Sequence, residues 1–286
     1  MTRRWTAGAA AICALVALAC EAGEGGGPPG GTSPPAPPAG DLPSSMAALG
    51  DSITAGYGSC LVLTTCHRNS WSTGDGFRVE SLYRRISDVN ESMSGQGHNF
   101  AVPGARAAAL ADQAASAVDV SAAYVTVLVG ANDACRATPQ EMTPVAAFRD
   151  DVDRALRVLR DGLPETEILV LSIPDLYRLW ELGHDEQRVV RVWDRGVCPS
   201  MLADAGSTDP AATQRRSSVR ERVMAYNVEL ADACRAHGDR CRYDDGAVYG
   251  TDFTLDQLNP LDYFHPDADG QDVLAELAYA ASGLAG

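Results

Sequence analysis

Short apolar runs alternate with helical patterns along most of this chain. Residues 46–49, 99–102, 124–129 and 168–173 are strand candidates. The last two are apolar almost throughout and rich in β-branched residues, the pattern of a parallel strand covered on both faces. Between the strands, Phe148, Val152, Leu156, Leu159 and Leu163 recur at helical spacing behind Thr143-Pro144. This predicts a helix capped by Thr143 with Pro144 at its first position. Val219, Val223, Tyr226 and Leu230 predict a second helix within 212–237, and Val273, Leu274, Leu277 and Ala281 a third over 268–282. Such alternation predicts an α/β fold, a three-layer α/β/α sandwich on a mostly parallel sheet. No internal repeat and no inner linker divides it, so 45–286 reads as one domain.

The first 44 residues read differently. Arg3 and Arg4 precede an uncharged, mostly small and apolar run, Ala7 to Ala19. A basic start with a short apolar run predicts a signal peptide over 1–19, too short to span a bilayer. The run ends Ala17-Leu18-Ala19-Cys20, readable as a signal-peptidase site or as a bacterial lipobox with Cys20 as the lipid-accepting residue. Residues 20–44 are dominated by glycine and proline and read as a tether unable to bury apolar surface. The expectation is an exported chain, extracellular or cell-surface, held to a membrane as a lipoprotein when Cys20 is acylated.

Charge narrows the chemistry. All 23 basic residues are arginine, against 38 acidic residues, for a net charge of -15. Without lysine there is no Schiff-base, P-loop or lysine general-base chemistry. The acidity also disfavours nucleic acid as a partner. Six cysteines remain once Cys13 leaves with the leader and Cys20 is set aside: Cys60, Cys66, Cys135, Cys198, Cys234 and Cys241. An even set in an exported chain predicts disulfides. Nearest-neighbour pairing is the expectation, because two of those loops are short. No CxxC motif and no clustered ligand set occurs, so neither metal nor cofactor is expected.

Four short blocks carry candidate chemistry. Gly50-Asp51-Ser52-Ile53 follows the first strand, which puts Ser52 where open α/β sheets place ligands. Asn99-Phe100-Ala101-Val102-Pro103-Gly104 ends in a glycine whose N–H can approach a ligand closely. Gly130-Ala131-Asn132-Asp133 offers the Asn132 amide at the same sheet edge. In Asp262-Tyr263-Phe264-His265, a spacing of three in a helical turn makes the carboxylate and imidazole neighbours, leaving Nε2 free as a base. His67, His98, His184 and His237 lack a carboxylate so placed and read as bystanders. Taken singly, each block has a bland reading as a turn or a cap.

Together and in this order, the four blocks resemble the SGNH (GDSL-type) hydrolase family, from about Met46 to the C-terminus. Arg68-Asn69-Ser70-Trp71-Ser72 also resembles its phospholipase B-like branch. The resemblance implies a flavodoxin-like sandwich and metal-independent hydrolysis of carboxylic esters through an acyl-enzyme. It implies Ser52 as nucleophile, His265 as base and Asp262 as orienter. The oxyanion hole would be the Ser52 and Gly104 N–H groups with the Asn132 amide. Residues 183–215 are expected to shape the acyl pocket. The substrate would be an ester of a lipid, an acylated small molecule or a polysaccharide, acted on by a monomer. A non-catalytic envelope- or carbohydrate-binding surface protein on the same fold is the alternative, although it gives no reason for all four blocks.

Overall fold

Residues 42–284 are described by a computed structural model. The leader, Cys20 and the tether up to residue 41 lie outside the described residues. Five strands form one wholly parallel sheet: β1 (Met46–Gly50), β2 (Gly97–Asn99), β3 (Tyr124–Leu128), β4 (Glu167–Val170) and β5 (Cys241–Tyr243), in the order β2-β1-β3-β4-β5. The order reverses between β1 and β3, which opens a crevice at their carboxyl ends.

The helices are α1 (Leu82–Ser87), α2 (Leu110–Asp119), α3 (Ala131–Ala134), α4 (Val145–Gly162), α5 (Leu176–Gly183), α6 (Gln187–Trp193), α7 (Pro199–Leu202), α8 (Pro210–His237), α9 (Ala247–Gly250) and α10 (Ala268–Ala281). Successive strand residues point to opposite faces. Leu49, Val125, Val127, Ile168 and Val170 accordingly join one core with α2, α4 and α8. Met46, Tyr124, Leu128 and Leu169 join another with α1 and α10. Apolar positions on both faces explain why β3 and β4 read as continuous runs. This is the expected α/β/α sandwich.

Several boundaries depart from expectation. The second strand is Gly97–Asn99 rather than 99–102: Met46 pairs with Gly97 and Ala48 with Asn99. It lies at the sheet's edge, so its polar residues need no apolar pattern. The fourth strand stops at Val170, short of 173. Ser172 and Ile173 turn to other partners, the Asp244 carboxylate and the Asn227 amide. Pro144, not Thr143, caps α4. The Thr143 hydroxyl instead donates to Asp133 Oδ1 at 2.7 Å. Cys60–Cys66, Cys135–Cys198 and Cys234–Cys241 are joined, with Cα separations of 6.0, 4.5 and 5.2 Å. The last of these fastens the end of α8 to β5.

Candidate active site

The turn after β1 is built by short-range bonds. Asp51 Oδ1 accepts from the Ile53 N–H at 2.9 Å, and the Ser52 carbonyl accepts from the Tyr57 N–H at 2.9 Å. Gly50 begins it at φ 147°, and a Cβ there would stand 2.2 Å from the Leu128 carbonyl oxygen, so only glycine fits. The buried Gln113 of α2 clamps Gly50 from both sides, accepting its N–H at 2.7 Å and donating to its carbonyl at 3.0 Å.

The second half of the site arrives more than two hundred residues later. Asp262 and His265 do not sit on a helix, as their spacing had implied, but in an irregular turn with Tyr263 in the left-handed region at φ 48°. Asp262 Oδ1 accepts the N–H groups of Phe264 and His265, at 2.9 and 3.1 Å. This leaves Oδ2 against His265 Nδ1 at 2.6 Å. The other ring nitrogen, Nε2, stands 3.0 Å from Ser52 Oγ. A carboxylate that receives Nδ1–H fixes the tautomer and leaves Nε2 as the acceptor. Tyr57 packs 4.7 Å from the imidazole ring and Phe264 meets it edge-on at 5.1 Å, which limits its rotation.

Buried and half-buried amides tie the two halves together and brace the first. Asn259 Nδ2 donates to the Gly58 carbonyl at 2.5 Å, while its backbone N–H donates to the His265 carbonyl at 2.8 Å. Gln271 of α10 accepts from the Trp71 N–H at 2.9 Å and donates to the Ile53 carbonyl at 2.8 Å. Asn99 donates to Thr54, Ser70 and Thr73. Asn69 holds the Ser59 carbonyl. Sequence reasoning missed Gln113, Gln271, Asn259 and Tyr57, for no local pattern distinguishes a bracing amide from a solvated one.

Among the described residues, the backbone N–H groups of Ser52 and Gly104 have no hydrogen-bond acceptor. Gly104 stands exposed at φ 82°, and a Cβ there would meet nothing within 4 Å, so the glycine serves the backbone rather than the space. Asn132 donates one amide N–H to the Ala105 carbonyl at 3.1 Å and keeps its second. Its neighbour Asp133 is buried and structural, accepting from Ala107 N–H and Thr143. Burial pushes the Asp133 carboxyl above its ordinary range, against those two bonds. Asp51 is also fully buried, with Oδ2 unpartnered; burial pushes it up to about 7, opposed by its bond from Ile53 and by His265.

A cavity of about 450 Å³ is lined by Ile53, the residue after Ser52, and by Leu176, Leu179, Leu182, Phe253 and Phe264 among others. Its walls come from Ile53, Ala131, 174–182 and 251–266, and 183–215 contributes none of them. Trp193, within that stretch, instead donates to the Tyr263 carbonyl behind the site. His98 stacks on Phe100 and His184 on Trp180. The family model for GDSL-like lipase/acylhydrolase matches residues 46–278.

The chain belongs to the GDSL-like lipase/acylhydrolase family.

Relatives of this GDSL-type chain agree at lower resolution. It is 27% identical over 198 residues to the membrane-associated phospholipase B1 of Rattus norvegicus, covering 55% of this chain and 13% of that protein. The human phospholipase B1 is 28% identical over 209 residues, 58% of this chain and 14% of that one. The chain therefore spans only a small part of the length of these relatives. Among solved structures, an acetyl-xylooligosaccharide esterase from Geobacillus stearothermophilus shares the fold with a TM-score of 0.51 and 13% identity, over 84% of this chain and 94% of that one.

Proposed function

We propose that this GDSL-family protein is a serine ester hydrolase in which Ser52 is the nucleophile, His265 the general base and Asp262 its orienter. The line from Asp262 Oδ2 through the imidazole to Ser52 Oγ, at 2.6 and 3.0 Å, carries this reading. Both distances lie within hydrogen-bond reach, which proton transfer requires.

His265 Nε2 takes the Ser52 proton as Oγ bonds to the ester carbonyl carbon. The carbonyl oxygen gains the electron pair and is received by the N–H groups of Ser52 and Gly104 and the Asn132 amide. The C–O bond to the alcohol then breaks, and His265 returns its proton to the leaving oxygen. Water repeats the sequence on acyl-Ser52, releasing the acid and restoring the hydroxyl. The apolar cavity seats the acyl chain, which favours esters longer than acetate. The protein carrying this site is exported through the leader over 1–19, and Cys20 with the tether over 20–44 holds the domain over 45–286 to a membrane.

The test is Ser52→Ala. Hydrolysis of nitrophenyl esters should fall by about 10⁶, towards background, with the melting temperature little changed. The unaltered protein should react with a fluorophosphonate probe and the variant should not. Undiminished hydrolysis by the variant overturns the assignment. Rates across acyl-chain lengths test the cavity's role.

A further inference from the structure

We propose that the disulfide-closed loop between Cys60 and Cys66 docks on a phospholipid bilayer, inserting Leu61, Val62 and Leu63 and presenting the catalytic edge to the lipid. The inference rests on the ester-hydrolase reading of that edge.

Three consecutive apolar side chains stand in water here, Leu61 at 69%, Val62 at 54% and Leu63 at 38% exposure. An exposed apolar residue is ordinary when single, whereas a contiguous set marks a contact surface. The loop is not free to fold them inward. Beyond the disulfide, the Gly58 N–H donates to the Thr64 carbonyl at 3.0 Å, the Thr64 N–H to the Val62 carbonyl at 2.8 Å, and the Cys66 N–H to Ala55 at 3.3 Å. Leu61 is held at φ 74°, a left-handed conformation that leucine disfavours.

The loop also adjoins the site. Its base residue Gly58 accepts from Asn259 in the turn that carries His265, and Tyr57 lies against the imidazole. The wider distribution agrees. Of nine large apolar side chains exposed among the described residues, Leu61, Val62, Leu63, Phe77, Val102 and Leu261 lie on three loops, those that bear Ser52, Gly104 and His265. The other three, Val89, Met224 and Val228, lie elsewhere.

Charge selects the occupant. In a chain with 38 acidic residues, 53–74 contains no Asp or Glu but does contain the exposed Arg68. Residues 92–111, around Gly104, likewise lack acid and carry the exposed Arg106. In a strongly acidic protein, two stretches of this rim without carboxylates and with exposed arginines suit approach to phosphate headgroups, while the exposed Asp75, Asp252 and Asp256 confine that approach to 53–74 and 92–111. No helix of the described residues is long and apolar enough to cross a membrane, so this contact is peripheral.

The experiment uses the full chain with Cys20→Ser throughout, so that no acyl anchor at that position contributes. Val62→Trp should shift its emission to the blue on adding vesicles of phosphatidylcholine, with or without phosphatidylglycerol, and be quenched by bromine-labelled acyl chains. The triple variant Leu61→Ser/Val62→Ser/Leu63→Ser should lower vesicle partitioning by about tenfold or more, since burying one such side chain is worth a factor of about ten. Its rate on monomeric nitrophenyl acetate should be unchanged. Absence of any spectral shift, or partitioning unaffected by the serines, overturns the proposal while leaving Ser52-dependent hydrolysis intact. A dimer in light scattering that the serines dissolve, with no vesicle effect, assigns the patch to a second copy and also overturns it. Failure of the hydrolase reading appears separately, as Ser52→Ala retaining activity.

Discussion

The connection from β1 to α1 and the helix pair α4–α8 are held in place by different balances of apolar packing and polar bonds. Helices α4 and α8 bury Phe148, Val152, Leu159, Val219, Val223 and Leu230, and the rings of Phe148 and Tyr226 stack at 4.2 Å. Position there follows from apolar area removed from water, which is strong but non-directional. The β1–α1 connection has little regular structure. Its backbone carbonyls and N–H groups are met one by one by Gln271, Asn259, Asn99 and Asn69, and Gln113 holds Gly50 where it begins. Directional bonds to fixed partners set Ser52 where packing alone would leave it room to shift. The helix pair supplies stability, and the polar brace supplies geometry.

If that division holds, stability and turnover should separate cleanly by region. Phe148→Ala should cost about 3–5 kcal/mol in chemical denaturation, because it leaves a cavity against Tyr226 and Gly130. The kcat on nitrophenyl esters, per folded molecule, should stay within about twofold of the parent. A large loss of kcat would show that the helix layer positions the site after all. Asn132→Ala should do the reverse. It should lower kcat by about 10²–10³, equivalent to about 2.7–4 kcal/mol of transition-state stabilisation, with a melting temperature near the parent's. A thermal loss as large as that of Phe148→Ala would place Asn132 in the fold's support through Ala105 rather than in the chemistry.

The same contrast governs what could be read from the sequence. The β3 run, α8 and α10 were legible because burial imposes a period on consecutive residues. The edge strands were not: the apolar run 99–102 begins two residues past the start of Gly97-His98-Asn99, and Cys241-Arg242-Tyr243 gives no signal, since an edge strand of three residues carries no apolar pattern. Ser52, Gly104, Asn132, Asp262 and His265 could be nominated because each lies in a short block whose turn needs those residue types. Gln113 and Gln271 could not, for their bonds reach across 63 and 218 residues. The proximity of Asp262 to His265 was anticipated from a helical spacing, yet it arises from an irregular turn.

Asp51 lets the polar region be probed by pH. Its carboxyl titrates near 3.8 in an unfolded chain and at about 7 when buried in the fold. Between those values the folded state keeps a proton that the unfolded state has lost, so this group lowers stability as pH rises from about 4 to 7, and adds no further change above. Asp51→Asn keeps an acceptor for the Ile53 N–H and removes the titration. It should match the parent near pH 4 and exceed it by about 4 kcal/mol at pH 8, read from paired denaturation curves. A difference that does not vary with pH would show that Asp51 keeps its ordinary titration in the fold.

The smallest expected effect tests the brace itself. Gln271 is fully buried, two hundred residues from Trp71 and further from Ile53, and it satisfies one backbone group of each. Leucine has a similar volume but neither bond, so Gln271→Leu leaves a buried N–H and a buried carbonyl unpaired. That should cost about 1–3 kcal/mol in denaturation, less than Phe148→Ala. Unlike Phe148→Ala, it should also lower kcat, because Ile53 follows Ser52 directly and a shifted carbonyl there moves Oγ relative to His265 Nε2. KM should change less than kcat, since the cavity walls other than Ile53 are untouched. If leucine lowers stability and leaves kcat intact, Ser52 is positioned by packing, and the contrast between the two regions disappears.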